Sequence, residues 1–238
     1  MEVLVFQIKG DFGHFRKYYT TSSPLTFAFP PPPTIMGMLA AIAGIDKKEY
    51  LTLFSSAVCS VAIGIDSPVQ KVRMGINHIN TKGNYWIPIK KGTHEARTQI
   101  RTELLKNPCY TFYIAHKDKD LFSGLAHNIK EHKTVFTLSL GLSELLADFA
   151  FTGILKFHKN QNIRKEIHTV IPMKNIVVSG IVFERGKKYF KDKIPVEMTP
   201  ERIVESYEDV LYESQGQPIE AQVKECWEGE NGRCITFL

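Results

Sequence analysis

Apolar positions fall into short runs separated by turn residues, and their period changes several times along the chain. Residues 2–9 place Val3, Leu4, Val5, Phe6 and Ile8 on both faces of an extended segment, which predicts a strand in the middle of a sheet. Four consecutive prolines, Pro30 to Pro33, bar helix and central strand alike. Immediately after them Ile35 to Ala43 is apolar all round, which predicts a buried helix with Thr34 as N-cap and Gly44 as its end. Gly37 then falls in the first turn, a costly place for glycine unless something must approach closely. Asp46 is positioned to cap a second short helix through Phe54, and Ala57 to Ile65 alternates like a buried strand.

From Asp66 to about Lys91 apolar content drops, and turn signals at Ser67-Pro68 and Lys82-Gly83-Asn84 predict a long polar ribbon. Beyond it the pattern predicts a strand over Cys109 to His116, an amphipathic helix over Asp118 to Lys130 and a strand over Val135 to Leu140. Ser143 is then placed to cap a short helix from Glu144 to Phe149. The order is β, α, β, hairpin, β, α, β. It predicts an α+β, ferredoxin-like (split βαβ) domain over residues 1–155 with an inserted β-ribbon at about 66–91. Residues 156–238 read as a small β-rich appendage, with turns at Glu184 to Lys187 and near Pro200 and an acidic helical or irregular tail.

Net charge is +5, but it is uneven. Residues 66–106 carry eight Lys or Arg against three acids, and residues 156–193 carry ten against three. The tail, 194–238, reverses this with three basic and ten acidic side chains. Two basic tracts in the body point to a polyanionic partner. The longest apolar run, Ile35 to Ile45, is too short for a bilayer, and the N-terminus has neither a basic segment nor a small-residue cleavage site, so a cytoplasmic, non-membrane protein is expected. Cys59, Cys109, Cys226 and Cys234 show no CxxC spacing, so neither a zinc site nor a disulfide framework is expected.

Several chemistries are excluded by motif. There is no GxxxxGK[ST] and no GxGxxG. His94-Glu95-Ala96-Arg97-Thr98 opens like HExxH but lacks the second His, and no Gly-x-Ser-x-Gly elbow is present. No cofactor and no metal are expected. A metal-independent ribonuclease needs only a base, an acid and a cation near the phosphate, and His14, His78, His94, His116 and His168 with Tyr18, Tyr19 and Lys71 supply such groups. A stronger signal lies in residues 10–21, where aromatic rings alternate with cations. Phe12, Phe15, Tyr18 and Tyr19 with Arg16 and Lys17 have the makings of a single-strand RNA surface, Phe15 and one tyrosine being expected in the core.

Strand one, Phe15-Arg16-Lys17, the segment Phe29 to Ile45 with its Pro-Thr-x-x-Gly helix start, Arg101 to Tyr110, and Ser139 to Ala147 together resemble the fifth CRISPR-associated protein family, of the RAMP superfamily. The resemblance spans roughly residues 1–150. It implies an RRM-like domain with a protruding thumb, in a type I-B-like interference complex (Cascade), as a non-catalytic subunit that caps the 5′ handle of the guide crRNA. Its implied partners are that RNA, the backbone subunit and the large subunit, with target DNA reached indirectly. The runner-up is a metal-independent endoribonuclease that processes precursor crRNA, and a third reading is a generic single-stranded RNA-binding module. The expected RNA contacts are Phe12, His14, Arg16, Lys17, Tyr18, Thr34, Met36, Gly37, Lys71, Arg73, Lys82, Arg97 and Arg101. On this reading the helix start from Thr34 to Gly37 receives a phosphate on free amides.

Overall fold

A computed structural model describes residues 1–79 and 97–238. The elements are β1 (Glu2–Lys9), β2 (Phe12–Gly13), α1 (Pro32–Ala43), α2 (Tyr50–Leu53), β3 (Cys59–Ile65), β4 (Lys71–Ile79), β5 (Arg97–Lys106), β6 (Cys109–His116), α3 (Lys119–Lys130), β7 (Asp148–Ile167), β8 (Ile171–Pro172), β9 (Ile176–Ile181), β10 (Tyr189–Met198), β11 (Val204–Glu213), β12 (Ile219–Gly229) and β13 (Cys234–Ile235).

β1 is central, as its two apolar faces require: it pairs antiparallel with β6 on one side and β7 on the other, in the order β3-β6-β1-β7-β13-β12-β9. Leu4, Phe6 and Ile8 point to the face covered by α1 and α3, where Phe6 meets Phe112 edge-on at 5.5 Å. Val3 and Val5 point to the opposite face, where Phe157 and Ile235 join them in a smaller apolar cluster. Each such buried aliphatic or aromatic side chain contributes about 1.5–3 kcal/mol, so a strand apolar on both faces belongs nowhere but the interior.

The helix after the prolines begins earlier than expected. Pro31 is the N-cap, and Pro32 and Pro33 occupy the first turn, where a missing N–H costs nothing. Thr34 is therefore inside the helix, its amide already donating to Pro31 O at 2.9 Å, and Gly37 lies beyond the first turn. Gly44 ends α1 with φ +76, as expected of a left-handed cap. Asp118 caps α3 by accepting from the amides of Asp120 and Leu121, a contact worth about 1 kcal/mol.

Two expected elements are absent. Residues 135–140 form no strand, because their backbone is committed elsewhere: the amides of Val135 and Phe136 donate to Ala41 O at the end of α1, and Leu140 pairs with Leu145 and His14. The helix from Glu144 to Phe149 is replaced by the start of β7, where Lys9↔Asp148 and Ile8↔Phe149 pairing overrides local helical preference. β7 is 20 residues long; its first half pairs with β1 and its second with β12, so residues 155 and 156 lie within one continuous strand. The acidic tail is not helical or irregular but forms β11, β12 and β13, with Ile219, Ala221 and Val223 alternating into a core beside β7 and β9.

Candidate nucleic-acid interface

The polar ribbon is an antiparallel pair of β4 and β5, in register from Lys71↔Leu105 to Ile79↔Arg97. It runs later than the expected 66–91, its second limb being Arg97–Lys106; Lys82 and the Lys82-Gly83-Asn84 turn lie outside the described residues. Alternation gives the ribbon two unlike faces. One carries Val72, Met74, Ile76 and His78 opposite Leu104, Thr102, Ile100 and Thr98. The other carries Lys71, Arg73, Asn77 and Ile79 opposite Leu105, Glu103, Gln99 and Arg97, with Arg101 opposite Gly75.

On the charged face the expected cations are not equivalent. Lys71 donates to Thr26 O at 2.7 Å and to Glu103 at 3.1 Å, so it ties the ribbon to the body. Arg73 is 3.8 Å from the same carboxylate and largely exposed. Burial pushes the Glu103 carboxyl up, but Lys71, the Thr26 amide and Arg73 outweigh it and hold the group below the usual glutamate range. Arg97 and Arg101 are exposed and meet no acid among the described residues. Glu103 was not singled out in the sequence; it becomes visible only once the register sets it opposite Arg73.

The aromatic-cationic loop also divides. Phe15 is in the core, but Tyr18 and Tyr19 are both exposed, against the expectation that one would be buried; their rings meet edge-on at 5.2 Å and Tyr18 leans on Tyr207 at 4.8 Å. Lys17 is not a free cation: it pairs with Asp192 of β10. Arg16 is exposed and anchored by Thr20 O at 2.8 Å, and Phe12 is half-buried opposite Lys106. Met36 is 4% exposed and belongs to the core, which removes it from any surface site. The helix start offers no phosphate cradle, since two of its first residues are prolines and the amides of Thr34 and Ile35 both donate to Pro31 O. Gly37 is open on its outer side, a Cβ there meeting only Tyr50 at 3.8 Å.

What does converge is a groove of about 430 Å³ between the apolar face of the ribbon and the body. His14, Arg16 and Thr34 line it from the body, and Ile76, His78 and Ile100 from the ribbon. His14 is buried, with its Nδ1 2.8 Å from Glu103 O, so its ring orientation is set by β5. Gly141 closes the groove with φ +101, and a Cβ there would lie 1.9 Å from His14 O, so no other residue fits. His116 and His168 lie elsewhere, and His94 is outside the described residues.

Four of the ten cations of the second basic tract pair with the acidic tail. Lys159 pairs with Glu225, Lys165 with Glu228, Lys174 with Glu208 and Lys191 with Asp209. Lys156, Arg164, Arg185, Lys188 and Lys193 are exposed and meet no acid among the described residues, so this tract shares with the ribbon and Arg16 the cationic surface open to a polyanion. All four cysteines are free. Among the described residues no three His, Cys, Asp or Glu side chains gather into a metal site, and no helix is long and apolar enough to cross a membrane.

An α+β body with a long β4–β5 ribbon and a cation-bearing groove defines the class. The model of the CRISPR-associated protein (Cas_Cas5) family matches residues 3–185, and the chain belongs to that family. Its fold is similar to a CRISPR protein from Archaeoglobus fulgidus, with 14% identity, 98% of each chain covered and a TM-score of 0.60. It is also similar to a chain of a CRISPR RNA-guided surveillance complex (10% identity, 91% of each covered, TM-score 0.55). A chain of the Type III-B Cmr-beta complex bound to cognate target RNA and AMPPnP aligns as well (12% identity, 92% of this chain and 86% of that one, TM-score 0.51). A comparison with curated proteins gives no match.

Proposed function

We propose that this chain is a non-catalytic subunit of a type I CRISPR interference complex, capping the 5′ handle of the guide crRNA and docking the backbone and large subunits. On this reading the β3-β6-β1-β7 order, all antiparallel with α1 and α3 as crossovers, is a ferredoxin-like domain, and the β4–β5 ribbon is its thumb. Residues 156–238 then act as an appendage that shares β7 with that domain. The observation that carries the proposal is the ribbon itself: Arg97 and Arg101 are exposed on one of its faces, beside Arg73, and meet no acid among the described residues.

The runner-up, a metal-independent endoribonuclease of the same family, is favoured by one observation, the presence of His14 and His78 in a single groove. Incubating the pure chain with labelled repeat RNA in EDTA separates the two. A cap binds and yields no product; a nuclease releases fragments with 2′,3′-cyclic phosphate ends and loses this activity in His78→Ala. Co-purification with a backbone subunit on guide RNA distinguishes the cap from a generic single-stranded RNA-binding module.

A further inference from the structure

The turn after β2 is built so that two of its rings must face solvent. Lys17 is drawn inward to Asp192 at 2.5 Å. Thr20 is buried as well, its Oγ1 donating to Lys17 O at 2.7 Å and accepting from the Leu25 amide at 3.4 Å. Tyr18 and Tyr19, held between these two anchors, are turned outward and are 52% and 57% exposed. β11 brings Tyr207, 38% exposed, alongside them. Tyr18 lies 5.2 Å from Tyr19 and 4.8 Å from Tyr207 between ring centroids, so segments distant in sequence form one continuous aromatic patch. Exposed apolar groups are ordinarily scattered singly, and a contiguous group of three marks an interaction surface.

Cations flank the rings. Arg16 Nη2 donates to Thr20 O at 2.8 Å, and Lys193 Nζ lies 5.7 Å over the Tyr207 ring. Both are exposed and neither meets an acid among the described residues, whereas Asp192 and Asp209 are taken by Lys17 and Lys191. Glu205, exposed two residues before Tyr207, leaves an excess of positive charge around the patch.

From Arg16 to Ser23 the loop exposes two rings, one guanidinium and the side chains of Thr21, Ser22 and Ser23, and no aliphatic side chain. The centre of a protein–protein contact is instead apolar and poor in charge. Rings for base faces, cations for phosphates and hydroxyls for polar edges are what a single strand requires, and only unpaired bases have a free face to offer. We infer that Tyr18, Tyr19 and Tyr207 form a stacking platform for unpaired bases of a single-stranded nucleic acid, with Arg16 and Lys193 on its phosphates. Arg16 also lines the ribbon groove, so the two surfaces adjoin, but Tyr207 and Lys193 belong to neither ribbon nor groove. The platform stands whether or not the ribbon binds RNA.

The test is fluorescence anisotropy of the full chain with a labelled octanucleotide and with its abasic counterpart, which keeps the phosphates and lacks the bases. Tyr18→Ala and Tyr207→Ala should each weaken the base-bearing strand about five- to a hundredfold, the range for one stacked base, and leave the abasic strand unaffected. Tyr18→Phe and Tyr207→Phe, which keep the ring, should bind as wild type does. Lys193→Ala should reduce the salt slope by about 0.7, one phosphate contact on a single strand. The Arg97→Ala, Arg101→Ala double variant should retain the full effect of Tyr207→Ala, so failure of the ribbon reading and failure of this one are distinguishable. Unchanged affinity in both Ala variants would overturn the platform and leave the rings to a protein partner. Equal weakening of the abasic strand would also overturn it, since the rings would then act by holding the loop. Tighter binding of the RNA octamer than of its DNA counterpart identifies the strand as RNA, and the reverse order identifies it as DNA.

Discussion

The ammonium of Lys17 lies 2.5 Å from the carboxylate of Asp192, 175 positions later in the chain, and both side chains are more than four-fifths buried. The contact pins the aromatic-cationic loop to β10, with Lys17 also lying over the Phe27 ring at 5.1 Å. Burial lowers the lysine pKa, but Asp192 more than compensates and holds it above the ordinary value. A residue that reads as an RNA contact is thus a structural tie.

Lys17→Met and Asp192→Asn should each cost about 1–3 kcal/mol, between the values for exposed and fully buried pairs. The double variant should lose less than the sum of the two, because the second change removes a charge already left unpaired. Thermal melts of the four proteins measure the coupling; strict additivity would show that the pair contributes nothing.

Arg97→Ala with Arg101→Ala should weaken binding of repeat RNA and reduce the slope of log K against log salt by roughly 1.4 to 1.8, about 0.7–0.9 per lost phosphate contact. Lys71→Ala should leave that slope unchanged and instead lower the melting temperature, since Lys71 is engaged by Thr26 O and Glu103. Fluorescence anisotropy at several salt concentrations reads the slope. An effect of Lys71→Ala on slope alone would reverse the assignment.

Glu103 should make stability depend on acid. Its folded pKa is depressed, so its contribution is fully present above the unfolded value of about 4.3 and is lost as pH falls through the folded value. Glu103→Gln should therefore melt lower than wild type at pH 7, with the gap narrowing steadily below about pH 4. A gap of constant size from pH 7 to pH 3 would argue that the charge is immaterial.

The two glycines of the family-like segments should respond in opposite directions. Gly37→Ala meets only Tyr50 at 3.8 Å and should stabilise α1 by about 0.5–1 kcal/mol with RNA affinity unchanged. Gly141→Ala puts a Cβ against His14 O in a positive-φ conformation and should cost at least about 1–3 kcal/mol. Impaired RNA binding by a fully folded Gly37→Ala would restore a phosphate site beside the helix.

Elements defined by local pattern were legible in the sequence. β1, β3, β6, α1 and α3 follow from apolar period, the proline block, Gly44 and the Asp118 cap, because each is a one-dimensional signal read within a dozen residues. The residue 101–110, 139–147 and proline-helix segments likewise carried the family. Residues 135–149 depart from their local pattern because their backbone partners, Ala41, His14 and β1, lie far away in sequence. The candidate site was half legible for the same reason. Lys17, Lys71 and Arg97 have equal standing as cations in a sequence, but an ion pair depends on register and on cross-chain proximity. Only the fold set Asp192 beside Lys17, Glu103 beside Lys71, and no described acid beside Arg97.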